Sequence, residues 1–261
     1  MTTPLSTLSI YPDLHGKVAL VTGGSRGIGA ATCMALARCG VKVAVTGRDE
    51  SGVRALVAAL RPVQPDAMEA AADCSQASQL EAMRGRVEAR LGSPDLVLAF
   101  AGGGSERPRP FAQIDEADWR SSIDNNLTST FLTLKAFLPA MIARRRGSIV
   151  TMASAGGRVA AGAPAGYGAA KAGVIMLTRH LAHEVGEHGI RVNCISPSAV
   201  LTARTRQSIS AEQEQQMLAA FPLRRLGSTE DIAAAALFLV SSASSWITGV
   251  TLDVAGGRVM S

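Results

Sequence analysis

The apolar run Lys17 Val18 Ala19 Leu20 Val21 passes directly into Thr22 Gly23 Gly24 Ser25 Arg26 Gly27 Ile28 Gly29, and that turn into the helix-forming stretch Ala30 to Ala37. No other segment constrains the fold as much. The first amides of a helix have no partner within the helix and carry the positive end of its dipole. Glycines let an anion reach them. A strand, a glycine turn and a helix start in this order predict a site for the pyrophosphate of a dinucleotide, with Gly23, Ser25, Arg26, Gly27, Ile28 and Gly29 as its cradle. Glycine spacing outside such a context carries little information.

The rest of the chain repeats the rhythm of strand and helix. Apolar runs predict strands near residues 17–22, 41–46, 67–72, 95–100, 147–153, 190–195 and 249–254, with long helices near 116–145 and 166–188. Apolar residues make up 47% of the 261 residues and aromatics only 4%, so the core must be built mainly from Ala, Val, Leu and Ile, as in a buried parallel sheet. The expected fold class is α/β: a single-domain, Rossmann-type, doubly wound parallel sheet of about seven strands with helices on both faces. Residues 1–15 are expected to form an N-terminal extension and residues 16–261 the domain. Residues 198–227 are the candidate substrate lid, carrying a short helix from Ser210 to Ala220. In such a sheet ligands sit beyond the carboxyl ends of the strands. Arg48, Asp73, Ala101 with Gly102, and Ser154 each follow a predicted strand, and so should meet the glycine turn in one crevice.

Composition argues against several other classes. No apolar run approaches the length that spans a bilayer, and the N-terminus has neither a basic start nor an apolar stretch, so the expected location is the cytoplasm. Cys33, Cys39, Cys74 and Cys194 form no closely spaced pair and read as reduced thiols. The formal charge is +5, but the cations are spread along the chain, and no nucleic-acid partner is expected. The densest basic run, Arg144 Arg145 Arg146, reads as a helix end whose cations complement the dipole. His183 and His188 flank Glu184 in an outline that resembles a zinc site, yet a spacing of five turns the second ring away from the first, and no metal is expected.

Tyr167 and Lys171 are four residues apart, so on a helix they rise from one face. A phenol ordinarily keeps its proton until about pH 10, and a fixed cation beside it is expected to move that value toward neutrality. Such a tyrosine can exchange a proton at working pH. Ser154 lies thirteen positions upstream, at the end of the fifth predicted strand.

Taken together these motifs resemble the short-chain dehydrogenase/reductase family over nearly the whole chain from about Lys17. Thr22 to Gly29 is similar to its TGxxxGxG turn, Tyr167 and Lys171 to its YxxxK pair, and Ser154 to its serine. Asn126 resembles the asparagine of its fourth helix, Pro197 and Thr202 its PGxxxT segment, and Gly256 with Gly257 its C-terminal glycine pair. The resemblance implies hydride transfer between nicotinamide and a ketone/secondary alcohol pair. Tyr167 would be the proton donor, Ser154 would polarise the carbonyl, and Lys171 would lower the tyrosine pKa and hold the nicotinamide ribose. Asn126 would anchor a water that reaches Lys171. The cofactor-binding set would be the glycine turn, Arg48, Asp73, Ala101, Gly102, Tyr167, Lys171, Pro197 and Thr202. A homotetramer and, among substrates, a 3-oxoacyl thioester on acyl carrier protein follow from the same likeness, with Arg144 to Arg146 as the docking patch. A member of the fold that binds cofactor in a regulatory role, or that catalyses a non-redox reaction, is the alternative.

Charge at the end of the second strand selects the cofactor. No carboxylate stands there to take both ribose hydroxyls; Gly47 and Arg48 follow the strand, and with Arg26 they suit the 2′-phosphate of NADPH. Two residues depart from the family pattern. Phe100 replaces an asparagine that ties the central sheet, so packing must supply that stability, and Ser198 replaces the glycine after Pro197. The Ala and Gly residues of Ser154 to Gly166 predict a roomy substrate pocket, with Arg107, Arg109, Arg204 and Arg206 at its border.

Overall fold

The computed structural model describes residues 8–103, 108–160, 162–208 and 210–260. In chain order the elements are β1 (Val18–Thr22), α1 (Gly27–Arg38), β2 (Lys42–Val45), α2 (Glu50–Leu60), β3 (Met68–Glu69), α3 (Ala77–Leu91), β4 (Leu96–Ala99), α4 (Glu116–Ile123) and α5 (Ser129–Arg144). There follow β5 (Gly147–Met152), α6 (Ala165–Val185), β6 (Ile190–Pro197), β7 (Val200–Leu201), α7 (Ala203–Ser208), α8 (Ala211–Leu218), β8 (Gly227–Ser228), α9 (Thr229–Val240) and β9 (Thr251–Val254).

Seven strands form one sheet in the order β3-β2-β1-β4-β5-β6-β9, and every pairing in it is parallel. The expected single-domain α/β class is what is found. The chain winds outward from β1 to β3 and then crosses back to β4, so strand order reverses between β1 and β4. A crevice opens at that reversal. Because strand side chains alternate between faces, Ala19, Val21, Leu96 and Leu98 join one apolar layer with residues of α1 and α9, such as Leu36 and Leu237. Leu20 and Val97 join the opposite layer with Leu80, Phe137 and Leu181 of α3, α5 and α6.

Three segments differ from expectation. The helix expected over 116–145 is broken by a π-helical turn, Asp124–Thr128, which contains Asn126. The expected 67–72 strand is paired only at Met68 and Glu69, although Ala70 and Ala72 still donate to the Val45 and Gly47 carbonyls and carry the edge toward Asp73. Within 198–227 the expected helix appears as α8, but α7 is additional, and β7 pairs with β8 in parallel so that the two ends of the segment are joined. Short pairings like this depend on residues some twenty-five positions away, which local pattern does not report.

Residues 1–7 of the expected N-terminal extension lie outside the described residues. Of the remainder, Leu14 is fully buried, Tyr11 packs beside it, and Asp13 accepts from the Ser242 amide at 2.9 Å.

Candidate active site

A cleft of about 600 Å³ opens over the carboxyl ends of β1, β2, β4, β5 and β6. Its floor is the glycine turn. A Cβ on Gly29 would stand 2.1 Å from the Gly23 carbonyl oxygen, and one on Gly23, whose φ is +64°, would stand 2.7 Å from the Phe100 oxygen. Side chains at either point would fill the space that the turn keeps open. α1 begins with no side-chain cap, so its first amides face the cleft without one. The cradle therefore fits an anionic group such as a pyrophosphate.

Of the expected site residues, Gly23, Ser25, Arg26, Ile28, Gly29, Arg48, Asp73, Ala101, Gly102, Ser154, Tyr167, Lys171, Pro197 and Thr202 line this cleft. Gly27 does not. It has φ +54° and lies under Thr202, whose Cγ2 would be 3.4 Å from a Cβ there. Asn126 is also withheld from the surface. It is fully buried, and its amide oxygen accepts from the Gly103 amide at 2.9 Å while its amide nitrogen donates to the Ser122 carbonyl at 2.9 Å and the Gly103 carbonyl at 3.3 Å. The side chain clips the segment after β4 to the π-helical turn.

The sequence reading passed over Asn125, Ser75, Cys74 and Thr205, all of which line the cleft. Asn125 accepts from Arg48 Nη1 at 3.2 Å. Ser75 could have been found from its place two residues after Asp73, since its amide and hydroxyl both donate to Asp73 Oδ1, at 2.9 and 2.7 Å. Thr205 could have been found from Thr202, three residues earlier at a helix start: the Thr202 amide donates to Thr205 Oγ1 at 2.6 Å, and the Thr205 amide to Thr202 Oγ1 at 3.2 Å.

At the inner end of the cleft three side chains converge. Ser154 stands two residues past the end of β5, Tyr167 stands in the first turn of α6, and Lys171 follows one turn on. Ser154 and Tyr167 both line the cleft there, and the Ser154 hydroxyl is near enough to the phenol to bear on its proton affinity. Lys171 is buried, and its Nζ donates to the Met152 carbonyl at 2.7 Å and lies 5.7 Å from the centre of the Tyr167 ring. Burial pushes its pKa down to about 8, against a smaller opposing effect of Cys194.

The expected downward pull on the phenol is not what this geometry gives. Burial raises the Tyr167 pKa, and the opposing influence comes from the Ser154 hydroxyl. The Lys171 ammonium bonds Met152, and the influences on the phenol are burial and Ser154.

At the outer end, Arg26 and Arg48 are exposed. Asp49 caps α2: its Oδ1 accepts from Ser51 Oγ at 2.6 Å and from the Gly52 amide at 3.1 Å. Those bonds, with the nearby Arg26 charge, hold its carboxyl below the usual range. Asp73 is also held low: burial pushes it up, but the two Ser75 bonds and the Arg48 charge outweigh burial.

The Phe100 substitution is absorbed in two ways. The ring is buried in the apolar layer under α1 and α9, as packing required, and Thr22 Oγ1 accepts from the Ala101 amide at 3.0 Å, tying β1 to β4. Gly156 and Gly157 after Ser154 do not make room. A Cβ on Gly156 would be 2.7 Å from the Ala163 Cβ, and one on Gly157 2.7 Å from the Ala172 nitrogen, so these residues serve close packing.

Of the four arginines expected at the pocket border, the two whose side chains are described, Arg109 and Arg206, do not line the cleft. Arg107 and the Arg204 side chain lie outside the described residues, and Arg109 is paired with Asp118 and, at 3.9 Å, with Asp115. Arg206 is exposed on α7 and does not line the cleft. The run Arg144 to Arg146 precedes the first residue of β5, whereas Ser154 follows the last, so about 20 Å of strand separates them. Arg144 donates to the Ser93 carbonyl at 3.0 Å, to the Pro94 carbonyl at 2.5 Å and to Asp95 at 3.3 Å. Arg145 bonds the Glu187 carbonyl, and Arg146 pairs with Asp95 at 3.4 Å. The run is a structural clasp at the far end of the sheet, away from the cleft mouth. Among the described residues no group of three or more His, Cys, Asp or Glu side chains is arranged to hold a metal ion.

A family model described as enoyl-(acyl carrier protein) reductase matches residues 23–258. The chain is 37% identical over 248 residues to the 3-oxoacyl-[acyl-carrier-protein] reductase FabG of Escherichia coli, which covers 95% of this chain and 99% of that protein. It is 35% identical over 246 residues to the 7alpha-hydroxysteroid dehydrogenase of the same organism, covering 94% and 95%. A crystal structure of a 3-oxoacyl-[acyl-carrier protein] reductase with bound NAD from Brucella melitensis superposes with a TM-score of 0.90 at 31% identity, covering 100% of this chain and 97% of that one. With the parallel sheet, the glycine cradle and the Ser154, Tyr167 and Lys171 cluster, these matches establish that the chain belongs to the short-chain dehydrogenase/reductase family.

Proposed function

We propose that this protein is an NADPH-dependent oxidoreductase that reduces a ketone to a secondary alcohol, with a 3-oxoacyl thioester as its preferred substrate class. The observation that carries the reading is the convergence of Ser154, Tyr167 and Lys171 at the inner end of the cleft, with Lys171 Nζ 5.7 Å from the centre of the Tyr167 ring. Tyr167 gives its proton to the carbonyl oxygen, and Ser154 donates to the same oxygen as negative charge builds on it. The cofactor, when bound, supplies the hydride. Lys171 supports the tyrosine from below and, with Tyr167, holds the nicotinamide ribose. Asn126 acts by fixing the Gly102 to Gly103 segment that walls the cleft, in place of the water-anchoring role its family position implies.

NADPH is preferred to NADH because Arg26 and Arg48 are exposed at the outer end, Arg48 steadied by Asn125, while the carboxylate beside them, Asp49, is engaged in capping α2. Asp73 stands at the edge of the adenine position. The NAD bound to the Brucella relative makes the choice a question for measurement. The half-exposed faces of α5 and α6, with Phe131 and Met176, support a homotetramer. Free, buried cysteines accord with a cytoplasmic setting, and among the described residues no helix is long and apolar enough to cross a membrane.

The test is a panel of a 3-oxoacyl thioester on acyl carrier protein, a steroid ketone, a cyclic ketone and an enoyl thioester, each with NADPH and NADH. Loss of nicotinamide absorbance with the 3-oxoacyl thioester and NADPH is the expected result. Oxidation only with the enoyl thioester would move the chemistry from C=O to C=C. Tight NADPH binding without turnover of any member would favour the regulatory alternative.

A further inference from the structure

The turn that leaves β5 is held from two sides. Within it, Ser154 Oγ accepts from the Gly156 amide at 3.2 Å, and the Ser154 carbonyl accepts from the Gly157 amide at 2.8 Å. One side is pressed onto α6, where a Cβ on Gly157 would come within 2.9 Å of the Lys171 Cβ. On the other side Arg158 reaches across to the last strand, and its Nη2 donates to Asp253 at 2.9 Å with only 14% and 11% of the two side chains exposed.

Asp253 is in register with Ser196 of β6, one residue before Pro197 at the cleft. A ring therefore closes: from Ser154 through the turn to Arg158, across to β9, and back through β6 to the cleft wall. An ion pair this little exposed loses much of the hydration of both charges, so it is a poor source of net stability. What it does supply is a fixed geometry, since the planar guanidinium bonds a carboxylate along set directions.

Resting on the reading of Ser154 and Tyr167 as the substrate-facing pair, we propose that Arg158 and Asp253 are positioning residues for the Ser154 hydroxyl. Neither lines the cleft. They hold the turn so that the Gly156 amide stays on Ser154 Oγ and the hydroxyl stays aimed at Tyr167. The last strand thereby becomes part of the catalytic frame.

Arg158→Met, Arg158→Lys and Asp253→Asn in the full chain test this with two readouts. The first is amide hydrogen exchange over residues 153–160, with the α6 peptide as internal reference; the second is kcat and KM for the carbonyl substrate with the NADPH Kd. In Arg158→Met and Asp253→Asn, exchange in the turn is expected to quicken about tenfold against an unchanged reference, and kcat to fall about ten- to a hundredfold while the NADPH Kd moves less than about threefold. Arg158→Lys keeps the charge but not the planar fork, and is expected to recover part of the kcat. Unchanged exchange in the turn, faster exchange with unaltered kcat, or a lysine variant no better than methionine would each overturn the proposal. Asp253→Asn preserves side-chain shape and decides the matter if Arg158→Met does not fold. Should the wild type turn over no carbonyl, the functional reading fails, and the exchange measurement alone decides whether the pair holds the turn.

Discussion

Lys171 Nζ donates at 2.7 Å to the carbonyl of Met152, the last residue of β5, while resting 5.7 Å from the centre of the Tyr167 ring. The cation is thus fixed by the strand that presents Ser154, and the helix that carries Tyr167 is fixed to that strand through it. Its position makes Lys171 as much a brace as an electrostatic partner.

Tyr167→Phe removes the proton donor and leaves the cradle untouched. Turnover should fall about 10²- to 10⁴-fold. NADPH affinity, read by fluorescence titration, should stay within about threefold, because one ribose contact is a small part of the binding surface. Activity near the wild-type level would end the assignment.

Lys171 is buried at a cost. Its pKa falls from 10.5 to about 8, a burial penalty on the order of 3 kcal/mol at neutral pH. Lys171→Met removes that penalty and loses the Met152 bond, about 1 kcal/mol, so the inactive variant should be about 2 kcal/mol more stable at pH 7. Between pH 8 and 10.5 the unfolded wild-type chain holds one more proton than the folded chain, so wild-type stability rises with pH across that window. The advantage of the variant should shrink accordingly in denaturant titrations from pH 7 to 10. A gap that stays constant would show that the lysine is not the titrating group.

Arg26→Ala and Arg48→Ala together should weaken NADPH by about a hundredfold and NADH by less than about threefold, the difference being two charge-assisted contacts to a phosphate. Parallel Kd measurements with the two cofactors decide it. Equal losses would remove the phosphate clamp.

Gly29→Ala drives a methyl group to within 2.1 Å of the Gly23 carbonyl. The turn must open. Destabilisation of about 1–3 kcal/mol and loss of nucleotide binding are expected, checked by thermal melts with and without NADPH. A variant that binds as well as wild type would mean that the turn does not form the cradle.

Arg144→Ala should lower stability, since its guanidinium satisfies the Ser93 and Pro94 carbonyls. Arg145→Ala and Arg146→Ala should leave KM for a carrier-protein thioester within about twofold, because the run lies about 20 Å of strand from Ser154. A tenfold rise in KM would restore the run as a docking patch.

Much of this molecule was written locally. The sequence by itself determined the parallel α/β class, the strand order of apolar runs, and the glycine cradle, because hydrophobic period and glycine placement are properties of neighbouring residues. It also named about half of the cleft lining, since residues that follow successive parallel strands must meet at one edge. Only the tertiary structure decided that Lys171 bonds a strand carbonyl, that Asn126 is enclosed, and that Arg144 to Arg146 lie at the opposite end of β5 from Ser154. It likewise decided that Arg158 reaches Asp253, ninety-five positions away. The direction of a long side chain, and the burial that shifts its proton affinity, depend on what packs around it from distant parts of the chain, and spacing along the sequence carries no record of that.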